Sequence, residues 1–464
     1  MVAIDKSENE LGTLSVMSLL IKFSIPAIIG MVVNMLYNVV DRIYIGNIPD
    51  IGGLAITGVG ITMPITSIIT GVGMLVGIGA SASISLALGR QEKEIAEKYL
   101  GNGLTTIIVS SIMVAIFGTL FAERILTLFG ATNNTMPFAL DYIQPLMIGT
   151  ICNLTAFGLN HSIRSDGSPK ISMLTMVIGA VINIILDPIF IFGFDLGIQG
   201  AAFATILSQF VAAVWVIYYF TKSKSSTLKL KVPNLKIEFN VLKGIILIGM
   251  APFCMQVASS IVSLFSNRAL LEHGGDLAIG AMAIITSVCT IFVMPIYGLN
   301  QGSQPIIGYN YGAKQYDRVK KAYYYSLIGS TVILALSWVF ITTLPELAVG
   351  MFNSDPELTD IAIRGLRVYT LALPLVGMQM TASNYYQAIG KAKQSMLLGL
   401  SRQVLILIPA FIILPNLFGL DGVWMAGPIA DFLAICISGV LIFKEMKDLG
   451  KEETVVNYKL EKIS

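Results

Sequence analysis

The sequence predicts an all-α integral membrane protein: twelve transmembrane helices in two pseudo-symmetric six-helix bundles. Three observations carry that prediction. Of 464 residues, 55% are hydrophobic and 12% charged, with a mean hydropathy of +0.77, too few charges to cover a soluble body of this size. Apolar stretches of about 20 residues, the length that crosses about 30 Å of hydrocarbon, recur along almost the whole chain. The chain also repeats itself: Gly79 and Gly89 match Gly302 and Gly312 at a spacing of 223, and the loop RSDGSPKIS matches QAIGKAKQS at the same spacing.

In chain order the predicted spans lie near 15–42, 51–82, 95–120, 136–160, 168–192, 197–220, 240–268, 278–306, 319–343, 360–387, 393–415 and 420–443. Some breaks are polar and charged, such as GRQEKE at 89–94 and SDGSPK at 165–170. Others, GFDLG at 193–197 and FGLDG at 418–422, are short glycine-bounded turns that join helices directly. The organisation that follows is an N-terminal lobe 1–221, a linker 222–239, a C-terminal lobe 240–446 and a tail 447–464.

Basic residues set the orientation. Lys6, Arg90, Lys93, Lys98, Arg164, Lys170, Lys314, Arg318, Lys320, Lys321, Lys391 and Lys393 fall in the N-terminal segment and in loops after even-numbered spans. The linker and tail add further lysines, whereas opposite loops hold Arg42, Arg124, Arg268 and acids such as Glu123, Asp195 and Glu346. By the positive-inside rule both termini and the linker face the cytoplasm, which requires an even number of spans. A repeat of six spans keeps its orientation, so the halves are related by an axis along the membrane normal. Further matches support it: Pro26 with Pro252, Asp41-Arg42 with Asn267-Arg268, and GIQGAA at 197–202 with GLDGVW at 419–424.

Two acids interrupt the apolar helices of the first half. Asp187 lies in INIILDPIFIFGF with Asn183 one turn before it, and Asp41 lies in NMLYNVVDRIYIG. A carboxylate at the centre of a bilayer costs about 2.5–3.5 kcal/mol on insertion scales, so such a residue marks an ion or substrate path. Helix rise places Asp41, Asn183, Asp187 and Thr205 in one layer of the outer half of this lobe, with Tyr142 near it. Asn183 and Asp187, four apart, face the same way. Pro26, mid-span, removes a backbone donor and offers a hinge. In the second half Arg402 and Asp431 lie at similar depth, where pairing would neutralise both.

The remaining features exclude other classes. A net charge of +2, without a basic patch interleaved with aromatics, gives no footprint for nucleic acid. Cys152, Cys254, Cys289 and Cys436 form no CxxC pair and read as packing residues. His161 and His273 fall at opposite membrane faces, so no metal site is expected beyond Na⁺ at the acid layer, and no cofactor. No nucleophile–base set or selectivity-filter ring suggests an enzyme or a channel. The N-terminus lacks the basic-then-apolar order of a cleavable signal and is read as mature protein.

The two six-span halves, the Pro26-to-Asp41 first helix and the NIILDPIFIFGF fifth helix resemble the multidrug and toxic compound extrusion (MATE) transporters, and the bacterial multidrug-export branch in particular. The resemblance spans the whole chain. It implies two bundles in a V around a cavity, alternating access, and export of small organic cations and drugs against inward H⁺ or Na⁺. It implies a monomer within a lipid bilayer, in a plasma membrane of the bacterial inner-membrane type. It assigns Asp41, Asn183, Asp187 and Thr205 to a cation site and Asn34, Tyr37, Tyr142 and Asn160 to the substrate cavity. The chain departs from the export branch in having an acid at Asp41 and an amide, not a glutamate, at Asn160; the seventh span offers Gln256, Ser259 and Ser260 but no acid. The choice between H⁺ and Na⁺ stays open. The alternative is a lipid-linked precursor flippase of a related fold, for which Arg402 is the main basic candidate.

Overall fold

A computed structural model describes residues 6–352 and 355–461; the first five residues of the predicted N-terminal lobe and the last three of the tail lie outside the described residues. Among the described residues every regular element is helical. Eleven of the described helices are long and apolar enough to cross a membrane: α1 (Val16–Gly46), α2 (Gly52–Gly89), α3 (Lys93–Leu128), α4 (Met136–Ser165), α5 (Pro169–Gly193), α6 (Gly197–Thr221), α7 (Phe239–Gly275), α8 (Leu277–Gly312), α9 (Tyr316–Thr343), α11 (Ala392–Phe418) and α12 (Leu420–Leu449). The twelfth, α10, is a broken pair, Pro356–Tyr369 and Leu373–Ala388, bent by 57°.

That bend departs from the single span expected over 360–387, and the residues explain it. Pro374 has no N–H to return to the preceding turn, and its ring disfavours helical geometry at Leu373. The Thr370 hydroxyl accordingly folds back on the Leu366 carbonyl at 2.8 Å, closing the first segment. Two other helices widen beside prolines. In α5 the residues after Pro188, Ile189–Gly193, form a π-helical turn, and in α11 the stretch Ser401–Leu407 before Pro409 does the same. Such turns are rare and gather at functional positions.

The chain forms two compact units. One comprises the residues up to Thr13 together with Ile29–Phe253; the other comprises Leu14–Ile28 together with the chain from Cys254 onward. Both divisions fall shortly after a proline, Pro26 or Pro252. The repeated glycines explain why the first turns of α1 and α7 group this way. In the first unit a Cβ on Gly79 would stand 2.1 Å from the Ile245 carbonyl oxygen, so α2 and α7 touch backbone to backbone. In the second unit a Cβ on the matching Gly302 would stand 2.6 Å from Ser24 Cα, so α8 and α1 touch likewise. Only glycine permits either approach.

The linker between α6 and α7 is tied down on the first unit. Asp166, between α4 and α5, accepts from the Tyr219 hydroxyl at 2.7 Å, the Ser226 hydroxyl at 2.9 Å, and the N–H groups of Thr227 at 3.1 Å and Leu228 at 3.0 Å. Buried Glu97 on α3 accepts from the Lys229 N–H at 3.1 Å and pairs with Lys231 Nζ at 2.6 Å. Asn102 donates to the carbonyls of Asn234 and Lys236 and accepts from the Glu238 N–H at 2.7 Å. Thr105 donates to the Leu235 carbonyl at 2.8 Å. Gly101 lets the strap approach, since a Cβ there would stand 2.4 Å from the Asn234 oxygen. The linker is therefore a strap held along its length.

Asp166 is the strap's main acceptor. Removing it by Asp166→Ala orphans donors that cost about 1–3 kcal/mol each when buried. Hydrogen exchange at Thr227 and Leu228 should accelerate by about 30-fold, the equivalent of about 2 kcal/mol; unchanged rates would mean that α3 alone holds the strap. Burial pushes Asp166 up to about 7, against its four donors, which pull it down. The ordinary value is 3.8, so the held carboxyl binds its proton more tightly than a released one. Protection should therefore be flat above pH 7. As pH falls below 7 it should rise, once intrinsic exchange is corrected for.

Candidate cation site

Four helices of the first unit, α1, α4, α5 and α6, bring the predicted polar layer together. Asp41 lies about 8 Å from the end of α1 at Gly46, Asp187 about 9 Å from the end of α5, Tyr142 about 9 Å into α4 and Thr205 about 12 Å into α6, by a rise of about 1.5 Å per residue. These ends are on one side of the membrane by the chain's alternation. Asp187 is fully buried and Asp41 is 7% exposed. Asn183 Nδ2 donates to Asp187 Oδ1 at 3.1 Å and to Thr205 Oγ1 at 3.3 Å. The two carboxylates are within electrostatic reach of each other, and both reach the Tyr37 and Tyr142 phenols.

An apolar seal covers this layer. Ile45, one turn beyond Asp41, and Ile191, just beyond Asp187, join Ile48, Val59, Ile198 and Ala201 in one buried cluster that includes Tyr142. Beneath it Asp41 Oδ1, Asp187 Oδ2 and Asn183 Oδ1 are buried without a hydrogen-bond partner. Buried polar atoms are rarely left unpaired, so each such atom points to something it would bind. The unpaired set is all oxygen and carries two carboxylates, donors suited to a hard cation or, at the acids, a proton. No group of three or more His, Cys, Asp or Glu that could hold a metal ion occurs among the described residues.

The residues assigned to the substrate cavity divide. Tyr37 and Tyr142 adjoin the acids. Asn34 lies about 18 Å from the end of α1, by rise, where its carbonyl accepts from Asn38 Nδ2 at 2.6 Å. Asn160 stands apart: it is 24 residues into α4, about 27 Å deeper than Tyr142. Its Oδ1 is also buried and unpaired. It belongs to the opposite end of the bundle, near a network the sequence reading did not anticipate. There buried Arg164 donates to Ser172 Oγ at 2.9 Å and contacts His161 Nδ1 at 2.8 Å, beside hydrogen-bonded Ser81, Ser85 and Ser165. Pro26 sits inside α1, which continues through it as one helix.

In the second unit Arg402 Nε donates to Asp431 Oδ1 at 2.5 Å, with both side chains mostly buried. Arg402 belongs to the π-helical stretch of α11, with the Tyr297 and Tyr369 phenols within electrostatic reach.

Repeated six-span halves, with paired acids buried in one of them, define a polytopic helical membrane protein of the transporter type. Comparison with known proteins gives the family. The MatE family matches residues 26–189 and 251–412, one stretch in each half. The chain belongs to the MATE family of transporters. It is 30% identical over 427 residues to the multidrug export protein MepA of Staphylococcus aureus (strain NCTC 8325 / PS 47), covering 91% of this chain and 92% of that one. It is 29% identical over 433 residues to MepA of Staphylococcus saprophyticus, covering 92% and 94%. Its fold matches a MATE protein crystallised in a bent conformation with a TM-score of 0.90 at 24% identity, over 97% of this chain and 99% of that one. An outward-facing multidrug resistance MATE transporter matches at 0.90, also at 24% identity, over 95% and 98%.

Proposed function

We propose that this protein exports small organic, often cationic, drugs and toxic compounds across the plasma membrane by alternating access, in exchange for inward H⁺ or Na⁺. The observation that carries this reading is the pair of buried carboxylates, Asp41 and Asp187, which share one layer and keep unpaired oxygens. The names of the relatives supply the substrate class; the oxygen set supplies the coupling. A cation or proton reaching the layer neutralises two acids that otherwise repel each other in a poorly solvated site. The helices carrying them can then pack more closely, and α1 is free to bend at Pro26. Exchange follows if the ion and the drug favour different arrangements of the bundle. The protein acts as a monomer with both termini and the strap on the cytoplasmic side.

The test uses the purified protein in liposomes loaded with an ethidium-type dye. Dye efflux should rise when an inward proton gradient or an inward Na⁺ gradient is imposed, and the effective gradient names the ion. Efflux indifferent to both gradients would end the coupled reading. The flippase alternative gains nothing from Arg402, whose charge is taken up by Asp431.

A further inference from the structure

We infer that the strap joining the two halves is a binding surface for anionic phospholipid headgroups. The inference rests on the proposed orientation only for the side of the membrane on which it acts. Two observations combine to carry it. The strap's inward contacts are satisfied by Asp166, Glu97, Asn102 and Thr105, so its backbone is held in place. Its outward side chains have the opposite character: Val232 is 80% exposed, Phe239 76% and Ile237 43%.

A polar linker in water has no reason to hold three large apolar side chains outward. At a membrane edge it has. The strap runs directly from the end of α6 at Thr221 to the start of α7 at Phe239, so it lies where the hydrocarbon gives way to headgroups. Lysines accompany the apolar tips: Lys222, Lys224, Lys236 and Lys243 are exposed and have no ion-pair partner among the described residues. Of the acids nearby, Glu97 is engaged by Lys231 at 2.6 Å and Glu238 by Lys98 at 2.9 Å, leaving Glu94 within electrostatic reach of Lys231. What remains is a net positive face with apolar tips, the complement of an anionic headgroup above an acyl chain. Clustered lysines next to a span are attracted to anionic lipid by about fivefold in affinity per residue. An acidic protein would satisfy the charges but leave Val232 and Phe239 unexplained.

The experiment uses the full chain in mild detergent. Phe239→Trp adds a fluorophore at the strap, read as the increment over the protein's own tryptophans. Phosphatidylglycerol and phosphatidylcholine, each brominated on the acyl chain, are titrated in separately. Quenching should reach its midpoint at a phosphatidylglycerol mole fraction at least about tenfold lower than for phosphatidylcholine. K222Q/K224Q/K236Q/K243Q, all surface changes, should remove that preference while leaving the protein monodisperse. Equal quenching by the two lipids would overturn headgroup recognition. No quenching by either, with the new tryptophan open to aqueous iodide, would overturn the lipid assignment and favour an acidic protein partner. Because the readout is lipid binding, failure of drug export in the liposome assay leaves this result untouched, and the converse holds.

Discussion

Asp187→Asn should abolish gradient-driven dye efflux, at least about a hundredfold below the parent, while the protein unfolds at the same temperature or a higher one. The two halves of that expectation share one cause. Asp187 is fully buried, and an uncompensated carboxylate in the membrane costs about 2.5–3.5 kcal/mol. Asparagine preserves its shape, and by turning its amide it can still accept from Asn183. It cannot bind and release a proton, and it offers a cation no charge. Function is lost and stability is kept or gained, the trade expected where a strained site serves activity. Asp41→Asn should behave alike, since each acid is within electrostatic reach of the other. If the acids were only polar glue between helices, the pattern would invert, with lower stability and intact transport. The measurement is dye efflux from liposomes alongside a thermal melt of the same preparation; near-normal export by both single variants would remove the site.

How much of this was legible in the chain varies with the physics of each feature. The spans were, because a bilayer demands a run of about 20 apolar residues whatever surrounds it. The acids were, because a charge inside such a run stands out against its neighbours, and helix rise alone put Asp41, Asp187 and Thr205 at one depth. The bend in α10 was partly visible as Pro374 in the TLALP sequence, but a proline inside a span does not say whether the helix kinks or continues, and Pro26 in α1 continues. The division of α1 and α7 between units was not visible. Gly79 and Gly302 were recognised as a repeat, yet nothing in one chain of letters says which helix a glycine lets in. The strap was least legible of all. Asp166, Glu97, Asn102 and Thr105 hold it largely through main-chain atoms, which have no sequence signature, over separations of 60 or more residues. Asn160 lies near the far end of α4, apart from the acids, and its place among the cavity residues rests on the resemblance alone.

Arg402→Met and Asp431→Leu should each destabilise the protein strongly, and the double change should recover most of the loss. Breaking a buried ion pair by removing one partner strands a charge and costs about 3–5 kcal/mol, whereas replacing both partners with apolar groups is often neutral or stabilising. Here the geometry favours the large effect: a 2.5 Å contact between side chains 20% and 10% exposed. For a unit of this size the single variants should melt lower by roughly 6–20 °C. The cycle should give a coupling energy of at least about 2 kcal/mol, far beyond the 0–1 kcal/mol of an exposed pair. Dye efflux by the double variant then separates the two things this pair can be. The pair cancels its own charge inside the second unit, and it is the acids of the first unit that are left with unpaired oxygens. Transport should therefore return together with stability. A double variant that melts like the parent yet moves no dye would place the pair on the transport path and move part of the coupling into the second unit.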